Sequence, residues 1–313
     1  MTEAIKREIE TIRIEWAEND AKRDANLSVP ENIKAFYNIS YGPYGDENLL
    51  DIYMEKTTSQ GMRIPAIVNI HGGGFVYGSK EIYKYYCMSL AQRGFVVVNF
   101  NYRLAPENKF PCALEDINQV LCYIEKECDN YSIDKNRLIL VGDSAGAQLA
   151  SHYATIMTNP EFAKLFDFKV PDVKVKALGL NCGTYDGRKM ILSPKDIDGL
   201  FVEAYLGILM EENYEKILSD QQTLDDLLKK TDLFENITAN FPPVFLMSTY
   251  TDFFLKNVDP MYELLQSRNV PVVKKIYGSV DRPEIGHVFH VNCNLKEAAE
   301  CNDDECQFFR KYL

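Results

Sequence analysis

No apolar stretch in the sequence approaches the roughly 20 residues needed to cross a bilayer. The opening "MTEAIKREIETIRIEW" is charged throughout. A secretory leader needs an apolar h-region, so this segment is expected to belong to the folded protein, and the chain to be cytoplasmic. Basic residues are also scarce. Lys and Arg number 34 against 46 Asp and Glu, for a net charge of −12 with no basic cluster. A surface of that sign repels phosphate backbones, which excludes a role built on nucleic acid and disfavours strongly anionic small molecules. The 8 cysteines include no C-x-x-C pair and read as reduced thiols in a chain of this length. Cys293, Cys301 and Cys306, near His287 and His290, match no standard zinc spacing, so no metal is expected.

What is present is material for a large core. Apolar residues make up 46% of the 313, enough for one α/β domain with an appended subdomain. Short apolar runs at 64–70, 94–100, 137–142, 175–181, 243–249 and 271–277 alternate with helical patterns. Several lack strict in-out alternation, as strands covered on both faces do. The clearest helix follows Pro111, with Ile117, Val120, Leu121 and Ile124 in one stripe. Two earlier β-like pieces, around 35–41 and 48–54, should pair antiparallel at one edge of the sheet. Ile5, Ile9, Ile12 and Trp16 share a helical face, which predicts an amphipathic helix docked on the domain. The fold class expected is α/β, a mostly parallel, doubly wound sheet with helices on both faces.

About sixty residues between Asn181 and Pro243 break the alternation, far more than an ordinary loop. They carry helical patterns, "DGLFVEAYLGIL" and "TLDDLLKKTDLF". From Asp186 to Glu235 they hold 12 acidic and 6 basic residues, half of the net charge. An insertion at the C-terminal edge of such a sheet stands where open α/β folds bind ligands, so it reads as a cap.

Two glycine-rich stretches carry chemistry. "LVGDSAGA" at 140–147 fits G-x-S-x-G on a strand-to-helix turn. A serine on a sharp elbow needs neighbours at ±2 without side chains, so that strand and helix can approach each other, and the turn aims the first helical amides at the reacting oxygen. His71-Gly72-Gly73-Gly74-Phe75 directly follows the first long strand. Three glycines there present unobstructed N–H groups, the donors that an oxyanion requires.

"HGGGFVYGS", "YRLAPE" at 102–107 and "GDSAG", in that order, resemble the hormone-sensitive-lipase-like family of α/β-hydrolase esterases. The resemblance runs from about residue 35 to the C-terminus. It implies a nucleophile at Ser144 and oxyanion amides at Gly73, Gly74 and Ala145. It also implies that His71 holds the glycine loop and that Tyr102–Glu107 braces it. Ala147 departs from a second glycine common in the family, without threatening the mechanism. The organisation expected is then an N-terminal helical segment (1–34) contributing to the cap, an α/β-hydrolase domain (35–185 and 239–313) and an inserted helical cap (186–238).

A serine hydroxyl needs a base, and the base an orienting acid, in the chain order Ser, acid, His. "STYTDFFLKNVD" offers Asp252 and Asp259. Asp252 sits just past the strand, in a "DFFL" context resembling that of the family's acid, whereas Asp259, before Pro260 and a helical stripe, suits an N-cap. Asp143, beside the nucleophile, should point away from it in a structural role. Of the four histidines, His71 serves the glycine loop and His152 falls on a packed helical face. That leaves "EIGHVFHVN", where His287, opening a His-x-Phe like the family's, is preferred to His290.

The expected activity is hydrolysis of short-chain acyl esters through an acyl-enzyme, with no cofactor and a small-molecule ester as partner. Rivals are a carbohydrate acetyl esterase or an amidase using the same triad, and a non-catalytic ligand receptor on a hydrolase fold. A homo-oligomer is compatible with the sequence but not specified by it.

Overall fold

The structure is a computed structural model that describes residues 1–59, 61–193, 199–208 and 214–313. Its centre is an eight-stranded sheet: β1 (Ile33–Ser40), β2 (Leu49–Glu55), β3 (Ile64–Ile70), β4 (Val96–Phe100), β5 (Ile133–Asp143), β6 (Val175–Asn181), β7 (Val244–Thr249) and β8 (Val272–Tyr277). The spatial order is β1-β2-β4-β3-β5-β6-β7-β8. β2 pairs antiparallel with both neighbours, and every later pair is parallel. This is the α/β-hydrolase arrangement, and the two early pieces do pair antiparallel at the edge.

The near-continuous apolar runs are explained by burial on both faces. On β3, Ala66, Val68 and Ile70 join one core cluster while Ile67 joins the other. β5 divides likewise, with Leu138 and Leu140 on one face and Ile139 and Val141 on the other. The first face is covered by α3 (Cys112–Glu127) and α4 (Ala145–Thr158), the second by α2 (Lys84–Ala91) and the last helix, Lys296–Arg310. Each of the Val, Leu and Ile side chains among these contributes about 1.5–3 kcal/mol through burial. β5 starts four residues before the apolar run, at Ile133, which pairs with Ile64. After Ile133 come four polar residues, with Arg137 tied to Asp134, so periodicity had no apolar run to follow there.

α1 (Glu3–Asp24) is capped by the Thr2 side chain and buries Ile9 and Ile12, as its stripe predicts. Thr2 also bonds Glu203 through both its amide and its hydroxyl, joining α1 to the insertion. Within the insertion the described elements are the helices Gly187–Leu192, Tyr214–Ser219, Gln221–Thr231 and Leu233–Asn236, and a π-helical turn, Leu200–Tyr205. Asp186, Asp220 and Asp232 cap three of these helices through Lys189 N, Thr223 N and Glu235 N, so part of the acidic excess is capping chemistry. The ends of the predicted "DGLFVEAYLGIL" helix, Asp198 and Leu209, lie outside the described residues. Its middle is the π-helical turn.

Candidate active site

β5 ends at Asp143 and α4 begins at Ala145, so Ser144 makes the whole turn between them. Its backbone stands at φ 52, ψ −119, a strained setting for a residue with a side chain. The amide of Ser144 is anchored to the Asn181 carbonyl on β6 at 2.9 Å. Side chains are excluded on either side: a Cβ at Gly142 would run into the Gly146 carbonyl, and one at Gly146 into the carbonyl of Ile70. The elbow therefore needs glycine at both positions to bring α4 against the ends of β3 and β5.

The glycine loop leaves β3 beside the elbow. Tyr102 Oη donates to the His71 carbonyl at 3.0 Å, and its ring stacks on the imidazole at 4.1 Å. The Phe75 carbonyl accepts the Ala105 amide at 2.8 Å. These contacts give the Tyr102–Glu107 stretch its bracing position. His71, fully buried, bonds the Gly72 carbonyl through Nδ1, and burial lowers its pKa to about 4, so it is a neutral structural ring. Gly72 N donates to Tyr83 Oη, which in turn donates to Asp143. Asp143 thus turns away from the elbow hydroxyl, as expected, and burial raises its carboxyl to about 6 despite the Tyr83 bond. Among the described residues, the amides of Gly73 and Gly74 donate to no protein acceptor. Ala145 supplies the first amide of α4, which the helix cannot satisfy internally.

Asp252 lies in the turn after β7, fully enclosed, and His287 in the loop after β8. His287 Nδ1 meets Asp252 Oδ1 at 2.9 Å. The carboxylate also accepts Phe254 N at 2.8 Å and Ser248 Oγ at 2.7 Å. Burial would push the Asp252 carboxyl up, but the His287 bond and charge, with those two donors, outweigh it and hold the group below its ordinary range. The two loops are tied by Thr251 Oγ1 donating to the Ile285 carbonyl. Phe253 lies against the imidazole at 4.2 Å, and Phe254 meets it edge-on at 5.6 Å.

Ser144, His287, Gly73, Gly74 and Ala145 all line one cavity of about 410 Å³, with Asp252 directly behind the imidazole. The other candidates go elsewhere. His290 is buried with both ring nitrogens unpartnered, and His152 packs among Phe110, Phe162 and Phe166. Burial lowers both to about 3. Asp259 is not the N-cap expected of it: the helix starts one residue earlier, at Val258, because a 3-10 turn, Leu255–Asn257, leads straight into it. Asp259 sits in the first turn and pairs with Lys274 at 2.7 Å.

Among the described residues, the one set of donors close enough for a metal is Cys182, Asp252 and His287, within 4.8 Å of one another. Asp252 and His287 already bond each other there. Burial pushes the Cys182 thiol well up.

Sequence reasoning missed Ser248, Phe253 and Phe254, whose roles depend on loop geometry. It also missed the far end of α1. Trp16, Asn19, Asp20 and Arg23 line the cavity, and their i, i+3, i+4, i+7 spacing could have shown it.

BD-FAE is the family whose pattern matches, over residues 50–259, a span that takes in Gly73, Gly74, Ser144, Ala145 and Asp252. The chain belongs to the BD-FAE family. His287 lies beyond the BD-FAE match. Esterase LipQ of Mycobacterium tuberculosis is 30% identical over 149 residues, which are 47% of this chain and 35% of that protein. The chain therefore spans about a third of the length of that curated relative. Among solved structures, an esterase B of Lactobacillus rhamnosis inhibited with a tributyrin phosphonate superposes with a TM-score of 0.84 at 23% identity, covering 100% of this chain and 96% of that one. A bacterial heroin esterase gives 0.72 at 20% identity over 97% and 92% of the two chains. The esterase of Pyrobaculum calidifontis gives 0.71 at 23% over 97% and 91%. At these identities the likeness establishes the α/β-hydrolase fold of the BD-FAE chain.

Proposed function

We propose that this chain is a carboxylic-ester hydrolase that works through an acyl-enzyme and prefers short acyl groups. The observation that carries the reading is the convergence on one cavity of the strained Ser144 elbow, the Asp252-bound imidazole of His287 and the unpartnered glycine-loop amides. Ser144 Oγ attacks the ester carbonyl while His287 Nε2 takes its proton. Asp252 holds Nδ1–H and stabilises the imidazolium as it forms. The amides of Gly73, Gly74 and Ala145 receive the oxyanion, each such donor being worth about 10²–10³ in rate. Collapse of the intermediate expels the alcohol, which takes the proton from His287, and water then repeats the sequence on the acyl-enzyme.

The cavity size supports a small substrate. The insertion and α1 act as its cap, and what the described part of the insertion contributes to the cavity is apolar: Met190, Leu200 and Phe201. The named esterases among the relatives agree with this reading. Ser144→Ala tests it. The variant should keep its fold by circular dichroism and lose aryl acetate turnover by on the order of 10⁶. A variant retaining a tenth of wild-type turnover would refute the nucleophile.

A further inference from the structure

Gly73, Gly74 and Phe75 stand in succession at φ 113, 60 and 68. The two glycines adopt this backbone at little cost. Phe75 does so against its own side chain, and a bulky residue stays in that region only where its surroundings hold it. Within the loop, Val76 N and Tyr77 N both donate to the Gly73 carbonyl, at 3.1 and 3.0 Å. Those bonds close the turn but leave the Phe75 ring to be fixed from outside.

The insertion fixes it. Tyr205 stacks on Phe75 at 4.2 Å with the ring planes 11° apart, and Phe201 leans on the same ring at 5.6 Å. Leu200 reaches Gly74, its Cδ1 3.4 Å from where a Cβ would stand there. All three belong to the π-helical turn, in which Leu206 N bonds the Phe201 carbonyl five residues back. At about 3.6 residues per turn, an α-helix would swing Leu200 well away from Tyr205. The wider π-helical turn keeps both on the side of the glycine loop.

The turn is anchored in its own right. The Tyr205 carbonyl accepts Phe110 N at 2.8 Å. Glu203, buried, accepts the amide and the hydroxyl of Thr2 at 2.9 and 3.0 Å. α1 also meets the loop directly, where Arg13 Nε donates to the Val76 carbonyl at 2.9 Å. The insertion, α1 and the glycine loop form one clamp.

Resting on the hydrolase reading, we infer that this clamp sets the oxyanion amides, with Tyr205 as a positioning residue. Its ring holds Phe75 in the backbone conformation that aims the Gly73 and Gly74 N–H groups at the reacting oxygen. Tyr205 does not line the cavity, so it acts through Phe75 and touches no substrate. Its hydroxyl is buried with no partner among the described residues, so the ring alone carries the effect.

The test measures p-nitrophenyl butyrate turnover and inhibition by trifluoroacetophenone. Ser144 Oγ adds to the carbonyl carbon of that ketone and its proton passes to His287, which leaves the negative oxygen among the oxyanion amides. In Tyr205→Leu, kcat and kcat/KM should fall together by about ten- to a hundredfold, the range that a misplaced donor costs. The ketone should bind more weakly by a like factor. Tyr205→Phe keeps the ring and should match wild type in both measurements. Tyr205→Met, closer to tyrosine in volume, reads the same loss if Tyr205→Leu folds poorly. Phe75→Leu removes the stack from the other side, so combining it with Tyr205→Leu should cost little more than either alone. Unchanged turnover, a raised KM with kcat intact, or unaltered ketone affinity in the folded variant would overturn the inference. So would additive losses in the double variant, or a loss in Tyr205→Phe equal to that in Tyr205→Leu. A wild type that cleaves no aryl ester would instead overturn the hydrolase reading.

Discussion

At the scale of single residues, the sharpest choice is between His287 and His290, three positions apart. Sequence favours the first only through its His-x-Phe context. The structure gives the difference a physical basis: His287 reaches the cavity and bonds Asp252 at 2.9 Å, whereas His290 is sealed in the core with neither nitrogen partnered. Replacing each by alanine and measuring aryl acetate turnover separates them. His287→Ala should fall to near the level of Ser144→Ala, while His290→Ala keeps most of its turnover and loses stability through the cavity it leaves. The opposite pattern would move the base. Ser144 and the glycines were legible for a related reason, since an elbow and an oxyanion loop tolerate few residue types. Asp20 and Asn19 were not, because a polar residue on a helix is ordinary until the cavity beside it is known.

At the scale of elements, the packing of the last helix against the sheet contains a group whose ionisation opposes folding. Glu305 is buried against β6. Its Oε1 accepts from Asn181 Nδ2 at 3.0 Å, and its Oε2 has no partner. Burial raises its carboxyl from 4.5 to about 7, against the lowering effects of Asn181 and Arg93. The folded state therefore binds more protons than the unfolded state between those two values, and stability contributed at this site falls as pH rises through them. Above the upper value the cost is complete, on the order of 3 kcal/mol. Glu305→Gln keeps an acceptor for Asn181 and removes the ionisation. In urea melts its advantage over wild type should be small near pH 4 and grow to its full size by about pH 8. An advantage that did not change with pH would show that Glu305 does not titrate with folding. Strand positions were readable from their apolar runs, since both faces are buried. The polar start of β5 and the π-helical turn were not, because neither follows a regular hydrophobic period.

At the scale of the whole molecule, a single physical arrangement ties the elements together. A mostly parallel sheet brings the ends of β3, β5, β7 and β8 to one edge, and there it sets the glycine loop, Ser144, Asp252 and His287 around one cavity. The antiparallel pairing of the two early strands and the chain order Ser, acid, His were legible because the fold permits few alternatives, whereas the full strand order was not. The make-up of the cavity wall was hidden, because it comes from α1 and an insertion far apart in sequence. The negative charge of the insertion suggested an acidic cap, yet its described part turns apolar side chains inward and uses several acids as helix caps.

The claim on which the rest depends is that Ser144 forms a covalent bond to the acyl group. A p-nitrophenyl alkylphosphonate tests it directly, since attack on phosphorus releases one p-nitrophenolate and leaves the phosphonyl group on the attacking oxygen. Intact mass should rise by one phosphonyl group per chain in step with release of p-nitrophenolate. Peptide mapping should place the group on Ser144, and Ser144→Ala should gain none. A wild-type protein that turns over aryl esters yet carries the adduct on another residue, or carries none, would contradict the account.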